Sequence, residues 1–167
     1  MPDIVLAVDI EDGCGDQVSE DVIARAARAA IEVGLTGSPL REQLGRTDCF
    51  EISVSLTDDA AMRHLNREYR GVDRTTDVLS FSLQEEGGPP VSYPPGIPVP
   101  LGEIVLSGPY LKHQADALGH PLATEVAWLT VHGALQLLGY RHDTDAEAEL
   151  MERLERAALE SSGFSPD

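Results

Sequence analysis

Phe50, Ile52, Val54 and Leu56 alternate with Glu51, Ser53 and Ser55, the period of two that marks a strand with one face in a core and the other toward water. Such a strand needs paired neighbours and a cover, and the flanking sequence supplies both. Ile4 to Val8 is a short apolar run of strand character. Ser19 then caps a helix whose Val22, Ile23, Ala26, Ala27, Ala30 and Ile31 form one stripe, ended by Gly34. Residues 58 to 70 return to helical spacing, with Met62, Leu65 and Tyr69 predicted to point inward and Gly71 near the end. Val78 to Leu83 and Leu101 to Leu106 are the remaining strands. Between them, Gln84 to Pro100 holds six of the eleven prolines and is expected to be an irregular surface loop. Ser107, Gly108 and Pro109 open a helix that stops near Gly119, and Leu122 to Leu138 is the longest apolar helix, stopped by Gly139. Thr144 and Glu147 form a capping box for a last helix, which buries Leu150, Met151, Leu154 and Ala158 and runs to Gly163. The order β-α-β-α-β-β-α-α-α predicts an α+β fold, a four-stranded mixed sheet covered by about five helices, with residues 1–167 as one domain.

Charge narrows the partners. Twelve basic against 29 acidic residues leave −17, a field that repels nucleic acid and anionic membranes, so any RNA contact has to be local. No apolar run reaches the roughly 20 residues of a membrane span, and the acidic N-terminus has no secretory character. A cytoplasmic protein is expected. Cys14 and Cys49 are the only cysteines, and two cysteines without a CxxC spacing support neither a disulfide framework nor a thiolate metal site.

The densest group of reactive side chains is His132-Gly133-Ala134-Leu135-Gln136-Leu137-Leu138-Gly139-Tyr140-Arg141-His142. Residues 132 and 136 are one turn apart on one helix face, and a chain turned back by Gly139 brings His142 toward that face. The spacing H-x-x-x-x-x-x-G-x-x-H is that of a zincin helix and its third ligand. An open zinc site of three protein ligands leaves a place for a water whose pKa falls to around 7. A peptidase is not expected, because Gly133 stands where its general-base glutamate belongs. His64, His113 and His120 are expected to be ordinary packed or surface histidines.

Arg63, Arg67, Arg70 and Arg74 recur at intervals of four, three and four along the second helix and its exit and share one face. On spacing alone this is either a track for a phosphate backbone or a solvated face paired with acids such as Glu68. Trp128 and Tyr140 fit the core better than a base-stacking role, and Glu125 is either a proton-transfer partner or a charge at a helix start.

His132 to His142 resembles the H-G-x-L-H-L-x-G-Y-D-H motif of the YbeY family of ribosomal-RNA maturation endoribonucleases. Leu65-Asn66-Arg67-Glu68-Tyr69-Arg70, Thr76-Asp77-Val78-Leu79-Ser80-Phe81 and Leu101-Gly102-Glu103-Ile104-Val105-Leu106-Ser107 resemble its L-N-x-x-Y-R, T-[DN]-V-L-S-F and L-G-D-I-x-I-S blocks. The resemblance implies one zinc ion held by His132, Gln136 and His142, a functional Arg70 flanked by RNA-binding Arg63, Arg67 and Arg74, and single-strand-specific cleavage of RNA. It also implies roles in ribosome maturation and quality control, with ribosomal RNA and ribosomal or small-subunit proteins as partners. Two positions depart from the motif. Gln136 replaces the second histidine, and Arg141 replaces the aspartate before the third; a neutral amide and a nearby cation both predict weaker zinc binding. The alternative function is a weakly catalytic or non-catalytic ribosome-associated factor that keeps the arginines.

Overall fold

The Phe50–Leu56 alternation lies in the middle of a four-stranded sheet in the computed structural model, which describes residues 2–11 and 18–164. Strand β1 spans Asp3–Ile10, β2 Cys49–Thr57, β3 Val78–Ser82 and β4 Val99–Ser107, in the spatial order β1-β2-β4-β3. β2 runs parallel to both β1 and β4, and β3 is antiparallel to β4, so the sheet is mixed as expected. Phe50, Ile52, Val54 and Leu56 are all buried. Cys14 falls outside the described residues.

The helices are α1 (Glu20–Gly34), α2 (Arg41–Leu44), α3 (Asp59–Arg70), α4 (Gly108–Leu118), α5 (Leu122–Leu137) and α6 (Asp145–Ser162). Alternation along β4 divides the interior in two. Ile104 and Leu106 join the main core with Ile23, Ile31, Val131, Leu135, Met151 and Leu159 of α1, α5 and α6. Val105, facing the other way, packs with Leu79 and Met62, which puts α3 on the opposite face of the sheet. Gly133 lets α5 lie close on the sheet, since a Cβ there would come within 2.8 Å of Ile104 Cγ2. Gly102 has φ +145, and a Cβ there would collide with the Phe81 carbonyl oxygen, so β3 and β4 pair tightly only because this residue has no side chain.

The structure departs from the sequence expectations in four places. A one-turn helix, α2, lies in the polar stretch between Gly34 and β2, where the sequence marked no element. β4 starts at Val99, inside the proline-rich segment, because Phe50 pairs with Val99 and Glu51 with Pro100. Tyr69 is 68% exposed; its ring meets Phe81 edge-on, centroids 5.0 Å apart, over the rim of the sheet. Leu150 is also exposed, leaving Met151, Ala158 and Leu159 as the buried line of α6. Among the described residues no helix is long and apolar enough to cross a membrane.

Candidate active site

α5 ends where its sequence says it should. The Leu138 N–H donates to Ala134 O, Gly139 takes φ +95, and the Tyr140 N–H returns to Leu135 O at 3.1 Å. The turn is held from outside as well: Ser38 Oγ donates to the Leu138 carbonyl at 2.5 Å, and Tyr140 Oη donates to Gly34 O at 2.7 Å. Burial raises the Tyr140 hydroxyl above its ordinary pKa. Fixed this way, the chain brings His142 back beside the last turns of α5. The rings of His132 and His142 stack at 5.4 Å between centroids, 27° from parallel.

Both rings line a cavity of about 410 Å³ whose wall also includes Gln136, Arg141 and, across from α5, Arg70, Asp77 and Ser80. The expected metal-ligating residues and the expected functional arginine therefore share one concave surface. Arg70 reaches it from the last turn of α3. There Gly71, at φ +70, caps the helix, and Asn66 Nδ2 donates to Arg74 O at 2.8 Å to hold the outgoing turn. Asn66 is buried, a polar residue one turn from Met62 on the inward face of α3.

Two arginines of the stripe share one carboxylate. Arg63 Nε and Nη2 donate to the two oxygens of Asp73 at 2.9 and 3.1 Å, and Arg67 lies 4.0 Å from the same carboxylate. Hydrogen bonding from Arg63 pulls the Asp73 pKa down and raises that of Arg63. The partner is Asp73 in the following turn rather than Glu68 on the helix. Among the described residues, Arg70, Arg74 and Arg141 have no carboxylate within ion-pair distance.

Two glutamates are buried, and the sequence marked only Glu125 as a candidate. Glu155 of α6, 8% exposed, takes two hydrogen bonds on Oε2, from Trp128 Nε1 at 3.2 Å and with His132 Nδ1 at 3.3 Å. Its signal is an acid four residues after Met151 and three before Ala158, inside an apolar stripe. Glu125 is buried too, but it accepts from Gln114 Nε2 at 2.6 Å and pairs with His120 Nε2 at 2.8 Å. It joins α5 to α4 and its junction, away from the cavity lining. Among the described residues no three His, Cys, Asp or Glu side chains form a metal cluster, as follows from an amide at position 136. The two imidazoles on the cavity wall are donors that suit zinc, and the side-chain amide of Gln136 beside them is a harder and weaker one.

The family described as endoribonuclease YbeY matches residues 10–163 of this chain. The endoribonuclease YbeY of Moorella thermoacetica is 52% identical over 115 residues, covering 68% of this chain and 74% of that protein. That of Paramagnetospirillum magneticum is 40% identical over 163 residues, 96% of this chain and 93% of the relative. The solution structure of TM1509 from Thermotoga maritima superposes with a TM-score of 0.55 at 20% identity, covering 97% of each chain, which supports the fold. The family match runs from the last residue of β1 to the end of α6 and so includes every element that lines the cavity: the chain belongs to the endoribonuclease YbeY family.

Proposed function

We propose that this endoribonuclease cuts single-stranded RNA in the cavity between α3, β3 and the end of α5, and that it acts in ribosomal RNA maturation and ribosome quality control in the cytoplasm. The observation that carries the reading is the convergence of Arg70, His132, Gln136 and His142 on one cavity. Its polar walls suit a phosphate backbone. Arg70, free of a carboxylate partner among the described residues, grips the phosphate at or beside the cleaved bond and offsets charge that develops there. His132, His142 and Gln136 would hold one zinc ion. When bound, it would supply Lewis acidity toward a phosphoryl oxygen. The rest belongs to the chain: the Gly139 turn sets the two imidazoles together, and Tyr140 and Ser38 keep that turn in place. Arg63 and Arg67 border the RNA path with their charge shared with Asp73, so Arg70 and Arg74 carry more of the contact. Ribosomal RNA and ribosomal proteins of the small subunit are the expected partners.

The test is cleavage of a fluorophore-quencher single-stranded RNA by purified protein supplied with zinc. Arg70→Ala is expected to lower kcat by about 100-fold or more, as removal of one transition-state donor does, and His132→Ala to abolish cleavage. Wild-type cleavage that survives both substitutions would overturn this assignment. RNA binding without cleavage in the wild type would favour the ribosome-associated factor instead.

A further inference from the structure

We infer that Glu155 is a positioning residue for His132: it holds the ring in the Nδ1–H tautomer, so that Nε2 is the nitrogen left with a free lone pair for the cavity. The argument starts from Trp128. An indole N–H can only donate, so its 3.2 Å bond to Glu155 Oε2 makes that oxygen an acceptor. The same oxygen lies 3.3 Å from His132 Nδ1. As a carboxylate, Glu155 has no hydrogen to give, so the shared bond forms only if Nδ1 carries the proton. The neutral ring then keeps its lone pair on Nε2.

Burial makes this arrangement more than a surface contact. The Glu155 side chain is 11% exposed and that of His132 20% exposed, and a carboxylate so far from water is kept only where donors meet it. Trp128 is one turn before His132 on α5, so the two donors form a fixed pair along one helix face. Glu155 approaches from α6, whose Met151, Ala158 and Leu159 anchor it in the main core. The position of the carboxylate is therefore set by the fold and not by the cavity contents. A carboxylate bonded to the second nitrogen of an imidazole orients the ring and strengthens the first nitrogen as a donor. With an amide at position 136 in place of an imidazole, the two histidines carry most of the affinity, which gives the orientation of His132 more weight. The consequence for zinc rests on the reading above that His132 is a ligand; the tautomer itself does not.

Nitrogen-15 NMR of the metal-free protein, with long-range couplings that distinguish the two ring nitrogens, decides the tautomer. Zinc affinity is measured separately by competition with a chromogenic chelator. The wild-type His132 ring is expected to be Nδ1–H; an Nε2–H ring would overturn the inference with no variant needed. Glu155→Leu is expected to release the ring to mixed tautomers and to weaken zinc binding about 10- to 100-fold. Glu155→Gln, which keeps an acceptor oxygen and the side-chain volume, should preserve the tautomer with a smaller loss of affinity. Leu159→Ala, a core truncation on α6 that leaves Glu155 intact, should lower Tm while keeping the wild-type tautomer and zinc affinity. If it reproduces the Glu155→Leu effects, the role is structural and the inference falls. Absence of zinc binding by a wild-type protein with the Nδ1–H ring would overturn the metal reading and leave the tautomer assignment standing.

Discussion

On the proposed zinc reading, the amide at position 136, where the family motif has an imidazole, sets how strongly the site would hold the ion. Gln136 lines the same cavity as His132 and His142, and as a ligand it would offer the weaker donor. Gln136→His is expected to tighten zinc binding by at least about tenfold, the scale on which changes around a metal act, and to raise the cleavage rate at limiting zinc. Chelator competition and the RNA assay measure the two quantities on the same preparation. An unchanged affinity would remove Gln136 from the ligand set. At this scale the sequence was informative about which residues meet, because His132 and Gln136 are one helical turn apart and Gly139 announces the reversal. It was silent on Glu155 and Asp73. Whether an acid pairs with His132 or with Arg63 depends on packing between α5 and α6 and on the path of the turn after α3, and no local spacing encodes either.

At the scale of elements, the end of α5 is stabilised by groups from far along the chain. Tyr140 Oη reaches Gly34 O at the end of α1, and Gly34 has no room for a side chain, since a Cβ there would lie 2.8 Å from Leu135 Cδ2. Tyr140→Phe should cost about 1–2 kcal/mol at neutral pH, the loss of one buried hydrogen bond with a carbonyl left unpaired. The same substitution should change the alkaline limb of stability. Burial raises the Tyr140 pKa above its ordinary value of 10.0, so the folded protein holds this proton more tightly than the unfolded chain does. That contribution is complete below about pH 10 and is lost as pH rises toward the folded value. Thermal melts from pH 8 upward should therefore show a steeper decline above pH 10 for the wild type than for Tyr140→Phe; parallel profiles would contradict the burial argument. Elements with a repeating pattern, such as β2, α1 and α6, were legible because each period recurs several times. α2 was not, because four residues cannot show a period of 3.6. Tyr69 was misplaced because it sits at the end of α3, where the helix has run past the edge of the core and the ring finds Phe81 instead.

For the whole molecule, the proposed cavity would reconcile a net charge of −17 with an RNA substrate by confining attraction to one place. Of the basic residues, Arg25, Arg63, Arg67, Lys112 and Arg156 are already engaged with carboxylates. The cavity and the exit of α3 hold Arg70, Arg141 and Arg74, which, like Arg28, Arg41, Arg46 and Arg153 outside the cavity lining, have no such partner among the described residues. Three phosphate contacts set a limit on the electrostatic part of RNA binding: each contributes about −0.7 to the slope of log affinity against log salt for single strands, about −2 in all. A basic RNA-binding surface would add contacts as the strand lengthens, whereas here a longer strand leaves the cavity and meets repulsion. Fluorescence anisotropy with a short and a several-fold longer single-stranded RNA, each over a range of sodium chloride, tests this directly on a protein that binds without cutting, such as His132→Ala. The two strands should give the same shallow slope and similar affinity per site, and Arg70→Ala should make the slope shallower by about 0.7. A slope much steeper than −2, or affinity that climbs with strand length, would mean that RNA follows a track outside the cavity and that Arg63 and Arg67 exchange Asp73 for phosphate when it binds.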